Sequence, residues 1–158
     1  MQSKQNILIL NDIRGAENVG AMFRTADAAG VHKIYLVGYT PTPIDRFGRK
    51  QKSIAKTALG AEDYIPWEQV KSINTLINKL HKNGFQIIAI EQDENSVNYK
   101  KVKLKDKNAI IMGSEVDGVA KNVLAKCDVI AEIPMQGKKE SLNVSVACGV
   151  ALYGLLGK

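Results

Sequence analysis

Short, continuous apolar runs recur along the chain and alternate with segments of helical character. Runs of five to seven residues without polar alternation are typical of strands buried on both faces of a parallel sheet. The runs that predict strands are 6–10, 33–38, 85–91, 108–113 and 128–134. The pattern therefore predicts a sheet whose strands are joined by helical crossovers.

The segments between these runs predict helices. The first is expected to begin at Asn18, a favourable N-cap, and to end at Gly30. The last is expected to begin at 142, directly after Ser141 as its N-cap. The other predicted helices are 53–59, 67–84 and 119–126. Within 67–84 one face of the helix is apolar, and it consists of Val70, Ile73, Leu76, Ile77 and Leu80.

Alternating strands and helices indicate an α/β fold with a mostly parallel sheet and helices on both faces. Such open sheets bind ligands beyond the carboxyl ends of their strands. The loops that follow the predicted strands are therefore the places where a functional site is expected.

Composition fits a single globular domain covering 1–158, with 45% apolar and 24% charged residues. No apolar run approaches the ~18 residues that would span a membrane. The apolar run near the start is also too short for a signal peptide, so we expect a cytoplasmic protein without membrane association. The two cysteines, Cys127 and Cys148, match no metal or CxxC spacing, and no metal site is expected.

The formal net charge of +6 hints at a polyanionic partner. Basic residues cluster in two short segments that we take as candidates for RNA binding. They are Arg46, Arg49, Lys50, Lys52, Lys138 and Lys139. Phe47 lies among the first four, although solvated loops would have a similar composition.

Neither GxGxxG nor GxxxxGK[ST] occurs, so a dinucleotide or nucleoside triphosphate site is not indicated. Three other clusters follow predicted strands: ENVGAMFRTADAAGV, MGSEVDGV and IPMQGKKESLNVSVA. In this order they resemble the three motifs of the SpoU/TrmH branch of the SPOUT methyltransferases. The resemblance covers nearly the whole chain.

The resemblance implies an α/β fold with a deep trefoil knot near the C-terminus and a homodimeric assembly. It implies methyl transfer from S-adenosylmethionine to a ribose 2′-hydroxyl of RNA. Because no added RNA-binding domain is evident in 1–158, transfer RNA is favoured over ribosomal RNA as the substrate.

The resemblance also assigns site residues. The catalytic candidates are Asn18, Arg24, Glu115, Ser141 and Asn143. The cofactor-binding candidates are Ile90, Gly113, Ile133, Met135, Ser141 and Leu142. In the family, the arginine is proposed to help deprotonate the ribose hydroxyl. Because a guanidinium stays charged in proteins, Arg24 could instead hold the ribose or its phosphate and stabilise the developing alkoxide.

Three of these residues also have alternative explanations that are purely structural. Arg24 could pair with Asp27 on the helix surface, Glu115 could favour a helix N-terminus, and Gly113 could serve a tight turn. Asn143 is harder to explain in this way, because Asn is unfavourable inside an apolar helix. The apolar character of that helix on nearly all sides predicts its burial, either under the knot or across a dimer interface.

Two rival functions remain at this point. One is a knotted RNA-binding module that has lost catalysis, and the other is an unrelated α/β nucleotide-binding protein such as a flavodoxin-like one.

Overall fold

The computed structural model describes residues 3–158, which contain one seven-stranded sheet. The strands are β1 (Gln5–Asn11), β2 (Lys33–Val37), β3 (Trp67–Val70), β4 (Gln86–Ile90), β5 (Val97–Asn98), β6 (Lys107–Met112) and β7 (Val129–Glu132). Their order across the sheet is β3-β2-β1-β6-β4-β7-β5, and every neighbouring pair is parallel. The predicted parallel α/β architecture is confirmed.

Five α-helices cover the sheet within the described part of the chain. They are α1 (Ala16–Ala29), α2 (Lys52–Ala58), α3 (Ile73–Lys82), α4 (Lys121–Leu124) and α5 (Val144–Leu156). Two apolar cores form, one on each face of the sheet. Helices α1, α2 and α5 bury their apolar side chains on one face, and α3 and α4 bury theirs on the other. Successive strand side chains point to opposite faces, as Leu8 and Ile9 of β1 do, which explains why the strands are apolar throughout.

One predicted helix is divided differently in the structure. Residues 67–70, expected at the start of helix 67–84, form β3 and pair with β2, with Val70 opposite Val37. Ser72 is then the N-cap of α3, because its hydroxyl accepts a hydrogen bond from the Thr75 amide at 3.2 Å. The apolar face of α3 is otherwise as expected, since Leu76, Ile77 and Leu80 are buried. A four-residue segment fits both periodicities, and pairing with β2 decides between them.

Among residues 3–158, no helix has the length and apolar character needed to cross a membrane.

Candidate functional site

A cavity of about 510 Å³ opens at the carboxyl ends of three neighbouring strands, β4, β6 and β7. Its walls come from the segments that follow these strands and from the start of α5. All six residues expected to bind the cofactor line it: Ile90, Gly113, Ile133, Met135, Ser141 and Leu142. Two catalytic candidates, Glu115 and Asn143, line it as well. The fold thus brings together positions that are up to 53 apart in the sequence, Ile90 and Asn143 being the outermost.

The floor of the cavity is a tight turn after β6. Ser114 and Gly118 exchange two backbone hydrogen bonds of 3.2 and 2.9 Å, and the Glu91 carboxylate accepts one from the Val119 amide at 2.8 Å. A Cβ atom at Gly113 would collide with the backbone of Gly118 and lie 2.7 Å from the Val119 nitrogen. The tight turn therefore requires glycine at position 113, whether or not a ligand also approaches it.

Glu115 connects this turn to the start of α1. Its two carboxylate oxygens accept hydrogen bonds from the amides of Arg14 (2.7 Å) and Gly15 (2.8 Å) and from Asn18 Nδ2 (2.9 Å). Desolvation raises the pKa of Glu115, but the bonds from Arg14, Asn18 and Gly15 together outweigh it, and the net pKa is lowered. Glu115 is thus held as a carboxylate, and the three hydrogen bonds fix it to residues 14–18, where α1 begins.

Asn18 is not the N-cap of α1, as the sequence predicted. The helix begins at Ala16, and its N-cap is Gly15, which has no side chain to cap it. The carboxylate of Glu115, which lies about one hundred residues further along the chain, supplies negative charge at the N-terminus of α1. Asn18 lies in the first turn instead, where its amide binds Glu115 at the edge of the cavity.

Ser141 is likewise not the N-cap of α5. The helix begins at Val144, and Asn143 is its N-cap, with Oδ1 accepting hydrogen bonds from Ser145 N (2.9 Å) and Ser145 Oγ (2.6 Å). The expectation that Asn143 lies inside an apolar helix was wrong, because helix α5 starts one residue after it. The cap uses only the amide oxygen. Nδ2 of Asn143 has no hydrogen-bond partner within residues 3–158, and it is free to donate into the cavity that Asn143 lines.

Arg24 lies outside the lining of this cavity, on the exposed side of α1. Within residues 3–158 it forms no ion pair, so the alternative pairing with Asp27 is not made. The next residue, Thr25, packs beside Gly149 of α5, which places Arg24 near the contact between these two helices. The structure therefore brings four of the five catalytic candidates to the cavity or its edge, and Arg24 is the exception.

The six basic candidates for RNA binding are all exposed. Arg46, Arg49 and Lys50 lie in the loop between β2 and α2, and Lys52 is the first residue of α2. Lys138 and Lys139 lie in the loop between β7 and α5, next to Glu140 at the cavity. Side chains at both places are therefore accessible to a polyanion.

Several polar residues of the cavity were missed by the sequence analysis. They are Glu91, Gln92, Ser114, Asp117 and Glu140. Gln92 donates a hydrogen bond of 2.6 Å to the Glu140 carbonyl, which connects the loop after β4 to the loop before α5. Glu91 directly follows an apolar strand, so the rule that ligands bind beyond the carboxyl ends of strands could have identified it.

Comparison with known proteins gives a consistent result. The SpoU rRNA Methylase family matches residues 5–153. A relative from Coxiella burnetii, named 23S rRNA (guanosine-2′-O-)-methyltransferase RlmB, is 34% identical over 147 residues. The match covers 93% of this chain and 56% of the relative, so the chain spans about half the length of that protein.

Solved structures show the same fold. An AdoMet-bound rRNA methyltransferase from Sinorhizobium meliloti aligns with a TM-score of 0.88 at 27% identity, over 98% of this chain and 56% of that one. A TrmH/SpoU tRNA modifying enzyme from A. aeolicus aligns with a TM-score of 0.84 at 27% identity, over 99% of this chain and 76% of that one.

Proposed function

Because the chain belongs to the SpoU rRNA methylase family, we propose that it transfers a methyl group from S-adenosylmethionine to a ribose 2′-hydroxyl of RNA. The observation that carries the proposal is the cavity at the carboxyl ends of β4, β6 and β7. Every residue that the family motifs assign to the cofactor lines this one space.

The cavity suits S-adenosylmethionine in size and chemistry. Its volume of about 510 Å³ lies within the range of small-molecule sites, roughly 300–1,000 Å³. Ile90, Ile133 and Leu142 offer apolar walls for an aromatic base. Four of its lining residues are acidic, namely Glu91, Glu115, Asp117 and Glu140, and their negative charge favours a ligand that carries positive charge. When bound, this cofactor supplies an electrophilic methyl group.

The chain's own residues would orient the RNA. The unpartnered Nδ2 of Asn143 would donate a hydrogen bond to the ribose, while its oxygen keeps α5 capped. Glu115 would act as a positioning residue, because its hydrogen bonds hold the first turn of α1 against the cavity. The proton of the 2′-hydroxyl would pass to solvent water as the methyl group is transferred. We assign Arg24, which lies outside the cavity, to stabilising the negative charge that develops on the 2′-oxygen of the bound RNA, because a guanidinium stays protonated. Ser141 would contact the ribose or the cofactor at the cavity wall.

We also propose the family's knot and homodimer for this chain. The knot would form at two loops, 91–96 and 133–143, which are joined by the hydrogen bond between Gln92 and Glu140. Support for the dimer is the exposed apolar side of α5, where Val146 is 51% and Tyr153 is 42% exposed. These positions are seven apart and lie on one side of the helix. A dimer would bury them.

The RNA substrate is proposed only as a class. One similar protein is named for ribosomal RNA and another for transfer RNA. We retain transfer RNA as the first substrate to test. A cytoplasmic location likewise stays a prediction.

The decisive experiment measures transfer of a labelled methyl group from S-adenosylmethionine to unmodified transfer RNA and, in parallel, to unmodified ribosomal RNA. We expect label in one pool, mapping to a nucleotide that resists alkaline hydrolysis on its 3′ side, as a 2′-O-methyl does. Arg24→Ala is the matched variant. It should bind S-adenosylmethionine as the unchanged protein does, because Arg24 lies outside the cavity, but it should transfer at least about 100-fold more slowly.

Full transfer by Arg24→Ala would remove this residue from the mechanism. Cofactor binding without transfer to either RNA would favour the catalytically silent RNA-binding module, which the names of the relatives do not support. Membership of the family already excludes the flavodoxin-like alternative.

A further inference from the structure

The loop between β2 and α2 presents an aromatic ring to solvent. Phe47 is 66% exposed at the tip of a small hairpin, in which Ile44 pairs with Lys50 in an antiparallel bridge. The Asp45 amide donates to the Arg49 carbonyl at 2.9 Å, and the Gly48 amide donates to the Asp45 carbonyl at 3.0 Å. Gly48 has a φ of 78°, which favours glycine at this turn.

The tip is held in place by a single carboxylate. Asp45 Oδ1 accepts hydrogen bonds from the amides of Phe47 (2.8 Å) and Arg49 (3.0 Å), and Oδ2 accepts one from Arg49 Nε at 3.0 Å. The two bonds from backbone amides fix the chain on both sides of the exposed ring, and the third fixes the Arg49 side chain. An exposed phenylalanine in a fixed backbone loses little further freedom when a ligand stacks on it.

Two guanidinium groups lie against the same ring. The Cζ atoms of Arg46 and Arg49 lie 4.8 and 5.0 Å from the centroid of Phe47. Guanidinium planes and aromatic rings both stack on nucleic acid bases, so the three side chains form one stacking surface. Lys50 and Lys52 follow directly, and both are exposed.

We propose that Phe47, together with Arg46 and Arg49, is a stacking platform for an unpaired base of the RNA substrate. The inference rests on the proposed function, in that RNA is taken as the partner, and it adds the class of RNA that this surface would select. Bases inside a duplex are already stacked on each other and cannot reach such a ring, whereas bases in a loop or bulge can. The platform therefore favours RNA with an unpaired segment, while the neighbouring lysines bind the phosphates of paired and unpaired RNA alike.

Two other sets of exposed side chains serve as comparisons for this site. Tyr64 is 73% exposed, more than Phe47, yet within residues 3–158 no cation lies over its ring. It provides the matched control. Lys50 and Lys52 provide the contrast, because removing them eliminates charge without removing the ring.

The test compares Phe47→Leu, Phe47→Trp and Tyr64→Leu, each as the full chain, by fluorescence anisotropy with two RNAs. One is a hairpin with an unpaired loop, and the other is its stem closed as a blunt duplex. Stacking on an aromatic side chain contributes about 1–3 kcal/mol per base, which corresponds to about 5-fold to 150-fold in Kd. We expect Phe47→Leu to weaken binding of the looped RNA by such a factor and to leave duplex binding within about two-fold.

Phe47→Trp should restore binding of the looped RNA, and Tyr64→Leu should bind both RNAs as the unchanged protein does. Phe47→Leu should also keep the dependence of log K on log salt, since no phosphate contact is lost. A double Lys50→Ala and Lys52→Ala variant should instead reduce that slope by about two and weaken both RNAs. Thermal unfolding of each variant checks that the exposed substitutions leave the fold unchanged.

The inference is overturned if Phe47→Leu binds the looped RNA normally, if it loses both RNAs equally, if Phe47→Trp does not restore binding, or if the unchanged protein binds neither RNA. Methyl transfer is measured separately. If Phe47→Leu loses binding of the looped RNA alone while the unchanged protein transfers no methyl group, only the proposed activity is refuted. If the unchanged protein transfers methyl groups while Phe47→Leu binds the looped RNA normally, only this platform is refuted.

Discussion

At the scale of single residues, the site depends on contacts that are distant in sequence. Glu115 is exposed, yet both of its oxygens are occupied by the segment that begins α1. Gly113 is required by the backbone that folds back over it. These two residues therefore have structural reasons for their identity in addition to the functional roles that the motifs imply.

The Glu115 contacts should depend on pH in a defined direction. Its pKa is lowered in the folded protein, so the stabilisation is complete above the ordinary carboxyl value of 4.5 and is lost as the pH falls through the lower, folded value. The amide proton shifts of Arg14 and Gly15, measured by NMR, should titrate together with a midpoint below 4.5. Glu115→Gln should abolish that titration. A midpoint above 4.5 would contradict the assignment.

Gly113 offers a test of the tight turn. An added Cβ would meet backbone atoms, which cannot move aside as a flexible side chain can. Gly113→Ala should therefore lower the free energy of unfolding by about 1–3 kcal/mol, measured by urea denaturation. Gly137→Ala is the control, because a Cβ there meets nothing within 4 Å. Equal stability of the two variants would show that the turn can relax.

At the scale of elements, helix α5 combines a structural and a proposed functional role at its first turn. The Asn143 oxygen caps the helix, and its nitrogen remains available to a ligand. Ser141 lies two residues before the cap and lines the cavity without capping the helix. The two roles of Asn143 can be separated because Asp is an equally good N-cap but has no amide donor.

Asn143→Asp should accordingly keep the stability of the fold within about 0.5 kcal/mol, whereas Asn143→Ala should lower it by about 0.5–2 kcal/mol. Both variants should lose methyl transfer, by at least about 100-fold, if the amide donates to the ribose. Chemical denaturation and the transfer assay measure the two effects independently. Ser141→Ala should leave unfolding unchanged. Full activity in Asn143→Asp would show that Asn143 caps the helix and does not donate to the ribose.

At the scale of the whole molecule, α5 is the element on which the proposed dimer depends. One side of it packs in the core shared with α1, through Cys148, Ala151 and Leu152. Val146 and Tyr153 remain exposed on the other. An apolar side of this kind on a helix next to the candidate site fits an interface between two copies.

Val146→Glu should therefore shift the protein from dimer to monomer in sedimentation velocity, because it places a charge in the proposed apolar contact. Leu59→Glu is the control, since Leu59 is also exposed, at 64%, but lies at the end of α2. A monomeric unchanged protein, or a dimer that tolerates Val146→Glu, would place the interface elsewhere or remove it.

The sequence by itself determined the parallel α/β class, the main strands and the edge of the sheet at which the cavity opens. It could do so because continuous apolar runs report burial on both faces of a sheet, and because ligands gather beyond the carboxyl ends of such strands. The family motifs added the identities of Ile90, Gly113, Ile133, Met135, Ser141 and Leu142, which the structure brings together.

Only the tertiary structure decided the helix starts, the assignment of 67–70 and the position of Arg24. Local sequence suggested Asn18 and Ser141 as caps, but α1 is stabilised by Glu115 from a distant turn, and α5 starts after Asn143. Residues 67–70 became a strand because β2 offered an open edge. For α1 and for residues 67–70 the deciding partner lies far away along the chain, and no local pattern of apolar and polar residues carries that information.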